Sequence, residues 1–379
     1  MKPIVLAPRL HPDDLDLIES ALVAERPLVL IPPRLPPEES ERLRRAVPDA
    51  LPAGVAAVLF TSGSTGQRKG VLLDRAALAA SAAASAAVLG RREDDRWLLC
   101  LSPATVGGLS IVTRSLAAGR RALLAGGGDR FEPAGLVGQI ARDRVTLLSL
   151  VPTMLARLLE LDWRPPAHLR AVLIGGAAAD PALLARARER GVPVRTTYGM
   201  TETASHVAID GRVLPGLEVA IQGGRIAVRG PVLFRGYLPP HDHIPARDAG
   251  GWFVTADRGA LDPDGVLRVL GRADGAILSG GATVDPAAVE AALTAVPGIG
   301  AACVFGLPDP EWGERVAAAV VLTGADLPPG LAGALRGRLS PHELPRRIAV
   351  LADLPLGPSG KLDRAEIARR SAGRLRPLV

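Results

Sequence analysis

The residues best suited to chemistry lie in one glycine- and hydroxyl-rich segment, Leu59-Phe60-Thr61-Ser62-Gly63-Ser64-Thr65-Gly66-Gln67-Arg68-Lys69-Gly70. It follows an apolar run and is expected to precede a helix. Gly63, Gly66 and Gly70 let the backbone come close to an anion. Thr61, Ser62, Ser64 and Thr65, with freed N–H groups, can wrap phosphate oxygens. Lys69 adds a point charge. The spacing is not that of a Walker loop, because Arg68 stands where that motif needs glycine followed by lysine. Lys69 is one of three lysines in the chain, with Lys2 and Lys361, while the other 42 basic residues are arginine. Arginine replaces lysine at most solvated sites but not where a compact ammonium on a long flexible stem is needed, so Lys69 and Lys361 merit attention.

Other chemistries lack their residues. No G-x-S-x-G elbow is present, which argues against an α/β-hydrolase. Gly126-Gly127-Gly128 does not continue as a dinucleotide fingerprint. His241-Asp242-His243 sits in a Pro-rich turn without further ligands nearby and reads as a solvated loop rather than a metal site. Cys100 and Cys303 are far apart, with no C-x-x-C spacing, which supports neither a zinc site nor a disulfide framework and fits a reducing cytoplasm. A pI of about 10.1 raises nucleic acid as a partner, but the arginines are interleaved with acids and aromatics are only 3%, so no nucleic-acid partner is expected. The Ala-rich stretch Ala76–Gly90 is too short and too rich in serine for a membrane span and reads as a close-packed helix.

The elements that must position these residues form three regimes. Apolar runs at Val55–Phe60, Trp97–Leu101, Arg121–Leu124, Thr146–Leu150, Ala171–Ile174 and Val192–Thr196 predict strands. Helical patterns near Asp74–Leu89, Leu109–Ala118, Glu132–Asp143, Thr153–Leu161 and Pro181–Glu189 alternate with them. That alternation predicts an α/β architecture with largely parallel sheet. After about residue 205, short strands at Leu217–Ile221, Arg225–Arg229, Trp252–Thr255 and Leu267–Leu270 predict a β-rich module. From about Gly271, helices near Pro286–Ala295 and Leu331–Leu339 and strands near Ala301–Phe305, Val316–Leu322 and Ile348–Leu351 predict a small α+β domain. The boundary is placed at Gly271–Asp274, giving domains 1–271 and 272–379.

The segment Thr61–Gly70 resembles the phosphate loop of the AMP-forming acyl-CoA synthetase and adenylate-forming superfamily, with Arg68 where proline is usual. The resemblance continues in chain order. Gly175-Gly176-Ala177-Ala178 is similar to the adenine-side loop, and Tyr198-Gly199-Met200-Thr201-Glu202-Thr203 to the YGxTE segment. Thr255-Ala256-Asp257 is similar to TGD with alanine for glycine. Gly271-Arg272-Ala273-Asp274 resembles the hinge, and Pro358-Ser359-Gly360-Lys361 the C-terminal PxGK loop.

The resemblance implies an adenylation domain, a small mobile domain carrying a catalytic lysine, and ATP, Mg²⁺ and coenzyme A as cofactor and co-substrates. A carboxylate attacking the α-phosphate of ATP meets anion repulsion, so positioning and charge neutralisation carry the catalysis. Lys361 would bridge the carboxylate and the α-phosphate, and Thr201 would reach either. Glu202 and Thr65 would supply hard oxygen donors to Mg²⁺. Thr61, Ser62, Gly63, Ser64, Thr65, Gly66 and Lys69 would surround the phosphates. Gly175, Gly176, Ala177, Tyr198 and Gly199 would line the adenine side, with Asp257 on the ribose and Arg272 also on the nucleotide. Arg272 and Asp274 would absorb a swing of the small domain between half-reactions, and Ser279, Gly280 and Gly281 would face the thiol path.

Val106–Leu116, Thr203–Ala208 and Gly306–Val316 further resemble one branch, the o-succinylbenzoate–CoA ligases of menaquinone synthesis, as does the short lead of about 55 residues before the loop. Thr105, Gly107, Gly108, Ser110 and Thr203 would line the acyl pocket. The branch usually has a histidine before the Gly-Gly pair; here the nearest polar residue is Thr105. Ala282-Thr283 replaces the polar pair often found after Gly-Gly. Arg114 fits two readings, a partner for a substrate carboxylate or a helix-surface arginine. The expected partners are a small carboxylic acid, ATP and CoA, in the cytoplasm, with a homodimer compatible. Two alternatives stay open: a CoA or carrier-protein ligase for another aryl or short-chain acid, and a nucleotide-binding homologue that has lost catalysis.

Overall fold

The computed structural model describes residues 2–33, 35, 37–61, 68–128, 130–176, 179–272, 275, 277–279, 282–309, 313–339, 341, 343–357 and 360–378, with backbone alone at 272, 278, 279, 282, 283 and 313. The chain forms two compact units, Met1–Thr255 with Ala260–Arg268, and Ala256–Gly259 with Val269–Val379.

The larger unit is built on two helix-flanked sheets and a β-rich module. One sheet has the order Ile4–Leu6, Leu28–Leu30, Val55–Thr61, Lys69–Asp74, Gly236–Tyr237. Its first three strands are parallel and its last two antiparallel. The second sheet has the order Arg212–Val213, Ser205–Ile209, Val194–Met200, Ala171–Ile174, Leu147–Leu150, Trp97–Leu99, Leu123–Leu124, parallel from Val194–Met200 onward. Parallel strands are buried on both faces, which is why Leu147–Leu150 and Ala171–Ile174 are apolar almost throughout. Glu218–Gln222 and Arg225–Arg229 form an antiparallel hairpin in a four-stranded sheet completed by Phe253–Leu261 and Leu267–Arg272.

Between the glycine-rich loop and the following helix the chain forms a strand, Lys69–Asp74, antiparallel to Val55–Thr61. The sequence led to a strand–loop–helix expectation; the structure corrects it to strand–loop–strand, with the helix starting only at Arg75. Val71 and Leu73 face one core cluster and Leu72 faces another. A strand apolar on both faces has no period-two signature, and so it was not distinguished as a strand before the helix expected from Asp74. The helix Arg75–Leu89 buries Ala77, Leu78, Ser81, Ala82, Ala84 and Ser85 and packs against Val106–Ala117. Its small side chains allow that approach.

The smaller unit centres on a six-stranded sheet. The long antiparallel pair Ile299–Asp309 and Gly313–Leu322 is flanked by the parallel strand Arg347–Val350 and by Ile277–Ser279 with Ala282–Val284. Helix Pro286–Thr294 packs on Ile299–Asp309, burying Val289 and Leu293. Its N-cap Asp285 accepts from Ala287 N. Gly271 has φ +118°, and a Cβ there would lie 2.7 Å from the Asp285 carboxylate, so only glycine fits. No described helix is long and apolar enough to cross a membrane.

Candidate functional site

The strand Val55–Thr61 delivers Thr61 to the mouth of the glycine-rich loop, and Lys69 pairs with it across the sheet. Residues Ser62, Gly63, Ser64, Thr65 and Gly66 lie outside the described residues. On the exit side, Arg68 Nε donates to Glu39 Oε1 at 2.9 Å, tying that end to helix Pro37–Arg45. The pair is largely buried on both sides. Gly70 is required by close approach: a Cβ would lie 2.8 Å from the side chain of Leu238.

Glu202 stands on a one-turn 3₁₀ segment, Thr201–Thr203, at the end of strand Val194–Met200. Several hydrogen bonds hold this turn. Thr203, fully buried, accepts from Met200 N at 3.1 Å and donates to Ser205 O at 2.8 Å. Phe234 N donates to Glu202 O at 2.8 Å, and Tyr237 Oη donates to Glu202 Oε1 at 3.1 Å. Ala204 (φ 49°) and Ser205 (φ 135°) occupy unfavourable backbone regions, a cost these contacts offset. A Cβ on Gly199 would lie 1.9 Å from Ser205 O, so the turn closes only over glycine. Tyr237 arrives by sheet pairing opposite Val71, which puts Lys69 Nζ 5.4 Å from the centre of its ring. Burial first, and then the Glu202 carboxylate, push the Tyr237 phenol far above its usual value, so it remains a hydrogen-bond donor. Lys69, Tyr237 and Glu202 are thus gathered in one cluster.

Among the residues expected to line the adenine side, Gly175 follows strand Ala171–Ile174, and a Cβ there would lie 2.2 Å from Thr197 Oγ1. Gly176 has φ +78°. Tyr198 is half-buried against the cluster containing Val207, Val228 and Leu233. Ala177 lies outside the described residues.

Helix Val106–Ala117 carries the residues expected to line the acyl pocket. It starts three residues before the Leu109 that periodicity suggested, because Thr105 caps it: Thr105 Oγ1 accepts from Gly108 N at 3.2 Å and donates to Ser102 O at 2.8 Å. Gly107 opens the helix. Gly108 lies so close to Ser102 O that a Cβ would be 2.2 Å from it. Ser110 is buried and donates to Gly107 O.

The helix also buries Arg114, at 6% exposure, which removes the helix-surface reading. Its Nη2 donates to Ser205 Oγ at 2.8 Å and contacts His206 Nδ1 at 3.1 Å, and its guanidinium carbon is 5.4 Å from the Trp97 ring centre. Arginine only donates, so His206 accepts at Nδ1 and carries its proton on Nε2. Burial, and then the Arg114 charge, hold His206 well below its ordinary value and therefore neutral. Nε and Nη1 of Arg114 are buried and make no hydrogen bond. Burial pulls its pKa down to about 9, and no described carboxylate pairs with it. The structure decides between the two readings: residues 108–112, 114 and 115 are all buried, which leaves Arg114 no solvated face.

Asp257 lies half-buried on strand Phe253–Leu261, in the stretch Ala256–Gly259 that groups with the smaller unit. Arg272 and Ser279 are described in backbone only, while Asp274, Gly280 and Gly281 lie outside the described residues. Lys361 is exposed at the base of a short loop in which Leu356 bridges Leu362, and Gly357 N donates to Lys361 O at 2.7 Å.

A family described as AMP-binding enzyme matches residues 9–238, and one described as AMP-binding enzyme C-terminal domain matches 288–361. The chain belongs to the AMP-binding enzyme family. A probable 2-succinylbenzoate–CoA ligase of Mycobacterium tuberculosis is 41% identical over 331 residues, covering 84% of this chain and 85% of that protein. A 2-succinylbenzoate–CoA ligase of Bacillus pumilus is 35% identical over 353 residues, covering 87% and 72%. Among solved structures, the o-succinylbenzoate CoA synthetase of Bacillus subtilis in complex with the acyl-adenylate intermediate OSB-AMP superposes with a TM-score of 0.86 at 29% identity, covering 96% of this chain and 87% of that one. The same enzyme in complex with ATP and magnesium ion gives a TM-score of 0.86 with 96% and 88% coverage. The adenylate-forming fold expected from the sequence, with a large N-terminal part and a small C-terminal domain, is borne out.

Proposed function

We propose that the chain is an ATP-dependent, AMP-forming carboxylic acid–CoA ligase whose acid is o-succinylbenzoate. One carboxylate oxygen of the acid attacks the α-phosphorus of ATP and expels pyrophosphate. The thiol of CoA then attacks the acyl carbon, and AMP leaves. The observation that carries the substrate class is Arg114: a buried guanidinium with two nitrogens unpartnered is a site for a second carboxylate, one remote from the carboxylate being activated. The relatives act on an acid that has such a second carboxylate. Helix Val106–Ala117 with Trp97, and the strand carrying Ser205 and His206, pack around the guanidinium.

Within this reading Lys69 and Tyr198 serve the nucleotide, and Thr61 and the glycine-rich loop surround its phosphates. Glu202 and Thr65 supply oxygen donors to Mg²⁺. The Glu202 carboxylate, held by Tyr237, is a hard donor of the kind Mg²⁺ takes. When bound, the ion offsets phosphate charge; Lys69 contributes fixed positive charge in the same cluster. Lys361 is the catalytic cation of adenylate formation, Thr201 assists it, and Asp257 binds ribose. The division at 271/272 is supported by the two family matches lying on either side of it. A cytoplasmic location is part of the proposal, because ATP and CoA are its co-substrates.

Pyrophosphate release from ATP–Mg²⁺ with a panel of acids tests this. O-succinylbenzoate is expected to be turned over best. Release with benzoates or short acids but not with o-succinylbenzoate overturns the substrate. No release with any acid despite ATP binding marks a binder without catalysis.

A further inference from the structure

The smaller unit contains an ion pair that the reaction as described does not use. Arg364 is the first residue of helix Arg364–Ser371, three positions after Lys361. Its guanidinium forms a two-point pair with Glu290 of helix Pro286–Thr294: Nη1 contacts Oε1, and Nη2 donates to Oε2 at 3.2 Å. Nη1 also donates to Val304 O at 2.9 Å, while Glu290 Oε1 accepts from Val304 N at 2.8 Å. Arg364 and Glu290 together thus satisfy both backbone groups of Val304 on strand Ile299–Asp309, as a neighbouring strand would. Three elements meet at this point: a helix, the sheet, and the chain leaving the lysine loop.

The loop above is closed on itself. Besides the Leu356–Leu362 bridge and the Gly357–Lys361 bond, Gly360 N donates to Gly357 O at 2.9 Å and Asp363 N donates to Pro355 O at 2.9 Å. Gly360 has φ +75°, and Asp363 caps the helix through Glu366 N at 3.0 Å. Residues 355–357 and 360–363 are thus tied to one another, and the helix that follows sets their place. Leu354 and Leu362 rest against the cluster of Cys303, Phe305 and Ile367, but apolar contact tolerates sliding. The guanidinium fork fixes direction as well as distance. Three residues span at most about 11 Å, so Arg364 anchors the chain close to Lys361.

We infer that Arg364 and Glu290 are positioning residues that set the place of the catalytic lysine for adenylate formation. The inference rests on the reading of Lys361 as the cation of that half-reaction. The two half-reactions are measured separately on the full chain: adenylate formation by single-turnover pyrophosphate release, and thioester formation from supplied acyl-adenylate and CoA. Arg364→Met is expected to slow adenylate formation by about 10- to 100-fold, since a misplacement of about 1 Å costs up to that much. Thioester formation should stay within about twofold. Arg364→Lys, which keeps the charge but not the fork, should fall between Arg364→Met and the unmodified enzyme, and guards against a variant that fails to fold. Glu290→Gln combined with Arg364→Met should cost no more than Arg364→Met alone. Equal loss in both half-reactions indicates general damage to the unit, and no loss in either indicates an idle ion pair; both overturn the inference. Lys361→Ala run beside them separates the two ideas. If it spares adenylate formation, the lysine assignment falls first and takes the clamp with it. If it abolishes adenylate formation while Arg364→Met does not slow it, the clamp alone falls.

Discussion

Replacing Arg114 by methionine separates substrate recognition from stability. The side chain is 6% exposed, and burial alone takes its pKa from 12.5 to about 9. At ~1.36 kcal/mol per tenfold in proton affinity, that is a cost of about 5 kcal/mol for holding the charge inside. The cation keeps its proton in the folded and unfolded states alike well below pH 9, so the cost is constant there and adds no pH dependence to stability at neutral pH. The bonds to Ser205 and His206 and the Trp97 contact offset it by a similar amount, about 1.5–3 kcal/mol per charged hydrogen bond and about 1–2 for the aromatic contact. Methionine fills comparable volume, so the unliganded variant should unfold within about 4 °C of the unmodified protein. Substrate carrying a second carboxylate should behave differently. Loss of a buried, hydrogen-bonded charge partner costs about 3–4 kcal/mol, which lowers kcat/KM for o-succinylbenzoate by about 100- to 1,000-fold. A monocarboxylic aryl acid, which never used the guanidinium, should change by less than about threefold. Pyrophosphate release with both acids and a thermal melt give the three numbers. Equal losses on the two acids, or a melting temperature lower by more than about 10 °C, would refute the carboxylate role and make Arg114 a structural residue.

Tyr237→Phe removes the hydroxyl bonded to Glu202 and should raise the Mg²⁺ concentration for half-maximal adenylate formation by about tenfold with kcat at saturating Mg²⁺ nearly unchanged; a Mg²⁺ titration reads this. Arg68→Ala breaks the pair with Glu39 at the loop exit and should raise KM for ATP by about three- to fivefold, an effect that 0.5 M salt reproduces in part in the unmodified enzyme. Asp95 is buried, accepts from Arg92 N at 2.8 Å, and is paired with Arg170 at 2.6 Å. Burial alone would raise its pKa, but the Arg170 and Arg92 bonds and the Arg170 charge outweigh it, and the folded-state value falls below 3.8. Its stabilisation is therefore full above the unfolded value and is lost as pH falls through the folded one. Asp95→Asn should cost about 3 kcal/mol at pH 7 and progressively less than that below about pH 4, measured by denaturant unfolding at each pH.

What the sequence made legible follows from how each element is buried. Ala171–Ile174, Arg225–Arg229 and Pro181–Glu189 were readable to the residue, because an apolar run or a helical period ends at a Gly, Pro or Asp. Lys69–Asp74 was hidden by burial on both faces, and helix Arg364–Ser371 by its density of charge, with Ile367 its only fully buried apolar residue. The phosphate loop, Glu202 and Lys361 stood out as motifs. The contacts that hold them did not: Tyr237 reaches Glu202 through a sheet pairing made far along the chain, and Glu290 reaches Arg364 across the smaller sheet. The sequence did not reveal that the Thr105 hydroxyl caps helix Val106–Ala117. Arg114 was readable as either of two things until its burial was known.

The acyl-adenylate route itself is tested most directly by exchange of labelled pyrophosphate into ATP in the absence of CoA. Rapid exchange that requires both o-succinylbenzoate and Mg²⁺, and that disappears in Lys361→Ala, is the predicted result. Exchange that needs CoA, or turnover that yields ADP and phosphate instead of AMP and pyrophosphate, would contradict it.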